Sequence, residues 1–173
     1  MSAKIADHAD LVAATEWSRQ FYRALKDWDL ARRGRWSTWE EGALMLTLDT
    51  SPKGGSCEPV NILAANNLIA FTTRGFEVQL PQPGQSFDAA IAALKDLTRK
   101  WFAGEIALAA FFKGDAWKGS TPIDPLRLQE EIAAAFQWIA REAQVDRVEI
   151  QTPNRETDQF FGLAVDGKPL ARS

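Results

Sequence analysis

The sequence predicts an α+β fold, with a mainly antiparallel sheet of about six to eight strands and three helices packed on it. Apolar residues repeat every three to four positions in three segments, as in amphipathic helices. In several of the other segments they repeat every second position, as in half-buried strands. Several predicted strands are joined by tight turns, which favours antiparallel pairing. The helices do not alternate one-for-one with strands, so regular βαβ units are not predicted.

The first helix is predicted over residues 10–30, after a frayed N-terminus over residues 1–9. Its apolar stripe, at spacings of three and four, is formed by Ala14, Trp17, Phe21, Leu25 and Trp28. Gly34 marks the end of this segment, and Arg32 and Arg33 suit the negative end of the helix dipole.

Four strands are predicted next, over residues 44–48, 60–65, 68–73 and 76–80. Residues 50–59 are rich in Gly, Pro and Ser and predict a surface loop. Asn66-Asn67 joins the second and third strands, since Asn tolerates the positive φ of a tight hairpin. Pro81 ends the fourth strand, because proline cannot donate to a strand ladder.

The second half of the chain predicts two helices and three or four strands. A helix over residues 86–102 ends at Gly104 and is followed by strands over 106–112 and 116–120, joined by Gly114-Asp115. The third helix is predicted to run to about residue 144, with Asp124 as N-cap and Pro125 in the first helical position. Residues 148–150 and 160–165 complete the set as a short strand and a last strand or hairpin.

Length and composition favour a single α+β domain over residues 1–173, soluble and cytoplasmic. Hydrophobic residues make up 46% and charged residues 25%, and the net charge of −3 is mild. No apolar run approaches the roughly 20 residues needed to span a bilayer. The N-terminus lacks the apolar stretch of a signal peptide, and the single cysteine excludes an internal disulfide.

Metal and nucleotide sites are not predicted. Cys57 and His8 are the only residues of their types, and a structural zinc site takes four such ligands. There is no glycine-rich dinucleotide turn and no phosphate loop, so no cofactor is predicted.

Catalytic arrangements have little support. His8 is the only imidazole that could activate Cys57 or a serine. Glu40 and Glu41, near two tryptophans, have the residue mix of a sugar site. Adjacent side chains point in different directions, however, and glycosidase carboxylates come from separate segments roughly 5–9 Å apart. The sequence therefore favours a non-enzymatic protein.

The segment of residues 32–39 combines arginines with tryptophans. Such mixtures can bind single-stranded nucleic acid, but flanking acids at 27, 29, 40 and 41 roughly cancel the charge. Trp and Arg are enriched at protein-binding hot spots, while the same residues could equally cap a helix and cover a sheet edge. The candidate binding residues are Arg35, Trp36, Trp39, Glu40 and Trp117.

The sequence thus predicts a protein-binding protein of the immunity or adaptor type, whose partner is another protein rather than a nucleic acid or a membrane. A first alternative is a small-molecule binder or metal-independent enzyme. Its cleft would be formed by Trp117, Phe112 and Trp39, with Glu40, Glu41, Asp115 or Arg74 as polar groups. A second alternative is a subunit of an obligate homo-oligomer.

Overall fold

The computed structural model describes residues 8–49 and 58–163, apart from the side chains of residues 8–10, 138, 140–143 and 155. This part of the chain holds five α-helices and nine strands in two antiparallel sheets. The α+β class is confirmed, whereas the prediction of one sheet with three helices is wrong in detail. The contacts divide into two compact units, Met1–Thr98 and Arg99–Ser173, and each is described by itself. The single domain over 1–173 stays a prediction.

The first unit is built on a five-stranded meander, in which each strand pairs with the next along the chain. The strands are β1 (Arg35–Thr38), β2 (Leu44–Leu48), β3 (Val60–Ala65), β4 (Leu68–Thr73) and β5 (Phe76–Leu80). β2 to β5 coincide with the predicted ranges. The β3–β4 turn has positive φ at Asn66 and Asn67, 49° and 62°, which confirms the predicted hairpin.

One face of this sheet forms the core of the first unit. The register places Trp36, Leu46, Ile62 and Phe71 in one row across β1 to β4, and all four are buried. Helix α2 lies against β3, where the hydroxyl of Ser18 donates to the Ala64 carbonyl at 3.0 Å. The buried residues of neighbouring strands thus form one continuous apolar layer.

The single helix predicted over 10–30 is wrong, because the segment is three helices: α1 (His8–Ala13), α2 (Glu16–Leu25) and α3 (Asp29–Arg33). Thr15 makes the first break. Its side chain accepts from the Ser18 amide as an N-cap, and its own amide donates to the Gly42 carbonyl at 3.0 Å. Helix α1 begins at His8, inside the stretch 1–9 that is predicted to be frayed. Residues 1–7 lie outside the described residues, and the frayed N-terminus stays a prediction. Strand β1 was not predicted, since Trp36 is its only large apolar residue.

The second unit is a four-stranded sheet in the order β7-β6-β8-β9. The strands are β6 (Ala107–Lys113), β7 (Ala116–Ile123), β8 (Arg147–Gln151) and β9 (Gln159–Gly162). β7 and β8 are longer than predicted, β9 ends before residue 165, and residues 164–173 lie outside the described residues. Helix α4 (Phe87–Ala103) contributes its residues after Thr98 to this unit.

Helix α5 (Leu128–Ala143) covers one face of the second sheet. Phe111, Val148 and Ile132 are fully buried in the core between them. The predicted N-cap Asp124 does accept from the Leu126 amide at 2.9 Å, but it caps a short 3₁₀ turn, Pro125–Arg127. α5 starts one turn later than predicted.

Candidate functional site

Trp36, a predicted binding residue, is a core residue of the first unit. Only 9% of it is exposed. Its ring packs edge-on against Phe21 and Tyr22, with ring centroids 5.8 Å and 4.9 Å away. It therefore supports neighbouring side chains instead of meeting a partner itself.

Trp39, by contrast, is 56% exposed, on the turn between β1 and β2. Its amide donates to the Ala43 carbonyl at 2.8 Å, and Glu40 and Glu41 in the same turn are exposed. Gly42, which closes the turn, has φ +75°, and a Cβ there would lie 2.6 Å from the Ala13 carbonyl oxygen. The Trp39 turn is thus held against the junction of α1 and α2. Arg35, the remaining predicted residue on this segment, is exposed and pairs with Asp49 at 3.0 Å.

A groove lies between α1 and α2, with a volume of about 450 Å³. We call it the α1–α2 groove, and it is lined by Leu11, Val12, Arg19, Tyr22, Arg23 and Lys26. The last four residues follow the spacing i, i+3, i+4 and i+7, so they share one side of α2 and its C-cap, Lys26. Tyr22 connects the groove to the buried Trp36 beneath it. The sequence analysis did not predict this site. The only sequence signal for it is this second stripe of residues on α2, which mixes charged and aromatic side chains.

The cations of the groove have acidic neighbours. Arg19 donates to the Ala14 carbonyl at 2.7 Å and pairs with Glu16 at 2.9 Å. Arg23 reaches the other oxygen of Glu16 at 3.2 Å, and Lys26 pairs with Asp27 at 3.1 Å. The hydrogen bond from Arg19 holds the pKa of the Glu16 carboxyl below its ordinary value.

Trp117 lies on the face of the second sheet that is opposite α5. Strand register places Trp117 beside Phe112 and Phe112 beside Arg147, and it places Glu149 beside Phe160. Arg147 and Glu149 are two residues apart on β8, so all five side chains share this face, which we call the Trp117 face. Trp117 is 57% exposed and Phe160 is 50% exposed. Phe160 was not among the predicted residues; its position opposite α5 follows only from the register.

Arg147 sits at the centre of the Trp117 face. Its guanidinium carbon lies 4.8 Å from the centroid of the Phe112 ring, a cation–π contact. Its ion pairs are long, 3.4 Å to Glu149 and 4.0 Å to Asp115. Its Nε is buried and has no hydrogen-bond partner among the described residues. The guanidinium is thus held by its stack on Phe112 and by two long ion pairs.

The residues of the predicted tryptophan-lined cleft belong to both units. Phe112, Asp115 and Trp117 come together around one hairpin of the second unit, while Trp39, Glu40, Glu41 and Arg74 belong to the first. In residues 8–49 and 58–163, no group of three or more His, Cys, Asp or Glu residues could hold a metal ion. Cys57 lies outside the described residues.

Comparison with known proteins finds no matching family model, no matching curated protein and no matching solved structure. None of the helices in the described part of the chain has the length and apolar character needed to cross a membrane. The α1–α2 groove and the Trp117 face are the two candidate sites in the described part of the chain.

Proposed function

We propose that this chain is a non-enzymatic protein-binding protein and that the Trp117 face contacts its partner. The observation that carries the proposal is the pair of half-exposed aromatic side chains, Trp117 and Phe160, on one sheet face with a stacked arginine between them. They stand on β7 and β9, three strand spacings apart, which is roughly 14 Å. This is the scale of the central cluster of a protein interface, where Trp and Arg are enriched.

The exposed aromatic area gives the face enough binding energy for this role. An aromatic side chain can bury roughly 150–250 Å². With about half of each ring still exposed, Trp117 and Phe160 could each remove roughly 100 Å² from water against a partner. At about 25 cal/mol per Å², this amounts to about 2–3 kcal/mol for each residue, the size of a hot-spot contribution.

The shape of the Trp117 face favours a protein over a small molecule. Its side chains stand on all four strands of the second sheet, so they spread across it. Small ligands bind in concave sites that bury most of their surface. A protein partner can cover such a spread of aromatic and charged groups at once. An immunity- or adaptor-type role, in which the chain neutralises or positions its partner, is part of the same proposal.

Capture of a partner by the purified protein tests the proposal. The immobilised chain is incubated with lysate of its own cells, and bound proteins are identified by mass spectrometry. We expect one partner to be retained by the wild type and lost with Trp117→Ala combined with Phe160→Ala. Leu126→Ala is the matched control, because Leu126 is an exposed apolar residue of the same unit, 93% exposed, at the 3₁₀ turn before α5.

The melting temperature separates binding from folding. Both aromatic residues are half exposed, so the double variant should melt close to the wild type. Equal capture by the wild type and both variants would contradict the proposal. Strong thermal stabilisation by one member of a metabolite panel would favour the small-molecule alternative instead. A dimer that dissociates only in the double variant would make the partner a second copy of the chain.

A further inference from the structure

We propose that the α1–α2 groove is a second binding site, which takes an acidic amphipathic helix of a partner protein. This site belongs to the first unit, and its residues are not those of the Trp117 face. The proposal does not depend on the function proposed above. It follows from the shape of the groove, from its charge and from the contacts that hold its lining residues in place.

The shape of the groove fits a helix. Arg19 and Lys26 mark its ends along α2, seven residues or roughly 10 Å apart. Leu11 and Val12 of α1 form the opposite wall, and Val12 is 71% exposed. A trough between two helices, two turns long and apolar at its base, is the form used to bind the apolar side of an amphipathic helix.

The charge of the groove selects an acidic ligand. The six described residues that line it include three cations and no acid, in a chain whose net charge is −3. The pairing acids stand outside the groove, and the side chains of Glu16 and Asp27 are 68% and 85% exposed. Exposed ion pairs of this kind contribute only about 0–1 kcal/mol. Carboxylates on a bound helix can therefore replace them at Arg23 and Lys26.

The base of the groove is already in its binding form. Tyr22 is held edge-on by the buried Trp36, and Arg19 is fixed by its bond to the Ala14 carbonyl. The bond between the Thr15 amide and the Gly42 carbonyl fixes the junction of α1 and α2. A rigid site loses less conformational entropy on binding, which favours affinity.

Other occupants fit less well. A nucleic-acid duplex would present phosphates to the cations but nothing apolar to Leu11, Val12 and Tyr22. A free fatty acid would satisfy both, but its chain needs an enclosing cavity, and this groove is open to solvent. A helix with leucines on one side and glutamates beside them satisfies both sets of groups.

A designed peptide tests the site. The probe is a fluorescein-labelled peptide of ~18 residues, long enough to form a helix, with Leu at i, i+3, i+4 and i+7 and Glu at most other positions. One control peptide has Lys in place of Glu, and another has the acidic composition with the Leu spacing scrambled. Fluorescence anisotropy with the full-length protein should show binding of the acidic helix, about tenfold or more tighter than either control, a difference of about 1.4 kcal/mol.

Variants of the protein test whether the peptide binds in the groove. Arg23→Glu and Val12→Asp should each weaken binding about tenfold, and Arg23→Glu should gain affinity for the Lys peptide. Arg33→Glu is the matched control, since Arg33 is exposed on α3 and does not line the groove. Circular dichroism checks the fold of each variant. If Val12→Asp fails to fold, the affinities of Arg23→Glu for the acidic peptide and the Lys peptide still show whether the peptide binds in the groove.

Several results would overturn the assignment. Equal binding of the scrambled acidic peptide would reduce the groove to a patch of charge. Displacement of the peptide by dodecanoate at lower concentration than by unlabelled peptide would make it a lipid site. A dimer lost specifically in Val12→Asp would make it an interface between copies. The Trp117→Ala, Phe160→Ala double variant should keep full peptide binding, so a failure here is distinguishable from a failure of the Trp117 face.

Discussion

Gly42→Ala should destabilise the first unit far more than Gly75→Ala, although both glycines have nearly the same backbone angle. Their φ values are +75° and +79°. In this left-handed region an alanine costs about 1 kcal/mol or slightly more relative to glycine at either site. The surroundings differ. A Cβ at Gly42 would lie 2.6 Å from the Ala13 carbonyl oxygen, whereas at Gly75 no described atom lies within 4 Å.

The extra cost at Gly42 comes from backbone that has to move. The contact at 2.6 Å involves the end of α1, and the Thr15–Gly42 hydrogen bond of 3.0 Å crosses the same point. Relieving the clash lengthens that bond, a loss of about 1 kcal/mol, and overpacking adds about 1–3 kcal/mol. We expect Gly42→Ala to lower the free energy of unfolding by about 3–5 kcal/mol, and Gly75→Ala by about 1 kcal/mol.

Urea unfolding of the full-length protein, followed by circular dichroism, measures the difference. With a slope of about 2.5 kcal/mol per M, the midpoint should fall by about 1–2 M for Gly42→Ala and about 0.4 M for Gly75→Ala. Both glycines belong to the first unit, so the comparison holds even when the two units unfold in separate transitions. Equal midpoints for the two variants would show that a Cβ at Gly42 does not clash with the end of α1.

Three further substitutions test the packing, the helix break and the ion pair. Trp36→Ala should cost about 3–5 kcal/mol of unfolding free energy, because the ring is buried, while Trp39→Ala should cost under about 1 kcal/mol; similar losses in chemical denaturation would refute the distinction. Thr15→Ala should cost about 1 kcal/mol and Thr15→Ser much less, since serine also caps; an equal loss for both would argue against a capping role. Arg19→Gln should raise the pKa of the Glu16 carboxyl toward its ordinary value in an NMR titration, and an unchanged midpoint would contradict the pairing. Because the folded-state pKa is lowered, this pair stabilises the wild type above the unfolded-state pKa, and the contribution is lost as the pH falls through the folded-state pKa.

Four strands of the first sheet could be located from the sequence because their signals are local. β5 alternates apolar and polar residues, β3 and β4 are short apolar runs, and Asn66-Asn67 between them carries the positive φ that a tight hairpin needs. A residue pattern of period two and a turn of two residues involve neighbours only. The same holds for Ser86, whose side chain accepts from the Ala89 amide at the start of α4, close to the predicted boundary.

The break between α1 and α2 could not be located in this way. The stripe from Ala14 to Trp28 has helical spacing throughout, and nothing within it forces an interruption. The Thr15 amide instead donates to the carbonyl of Gly42, 27 residues further on. A contact between residues so far apart in the chain outweighs local periodicity, and a single threonine inside a helical stripe does not by itself predict a break.

For the candidate sites, too, the sequence predicted what depends on residue type and not what depends on distant contacts. The sequence alone identified Trp36, Trp39 and Trp117 as candidate binding residues, because tryptophan is enriched at the hot spots of protein interfaces. It did not separate the buried Trp36 from the exposed Trp39, since both stand in one short polar segment and burial depends on what lies across the sheet. Residue types and local periods are properties of the chain itself. The division of nine strands into two sheets, the row from Trp117 to Arg147 and the α1–α2 groove were decided only by tertiary structure, because each joins groups that the sequence keeps apart.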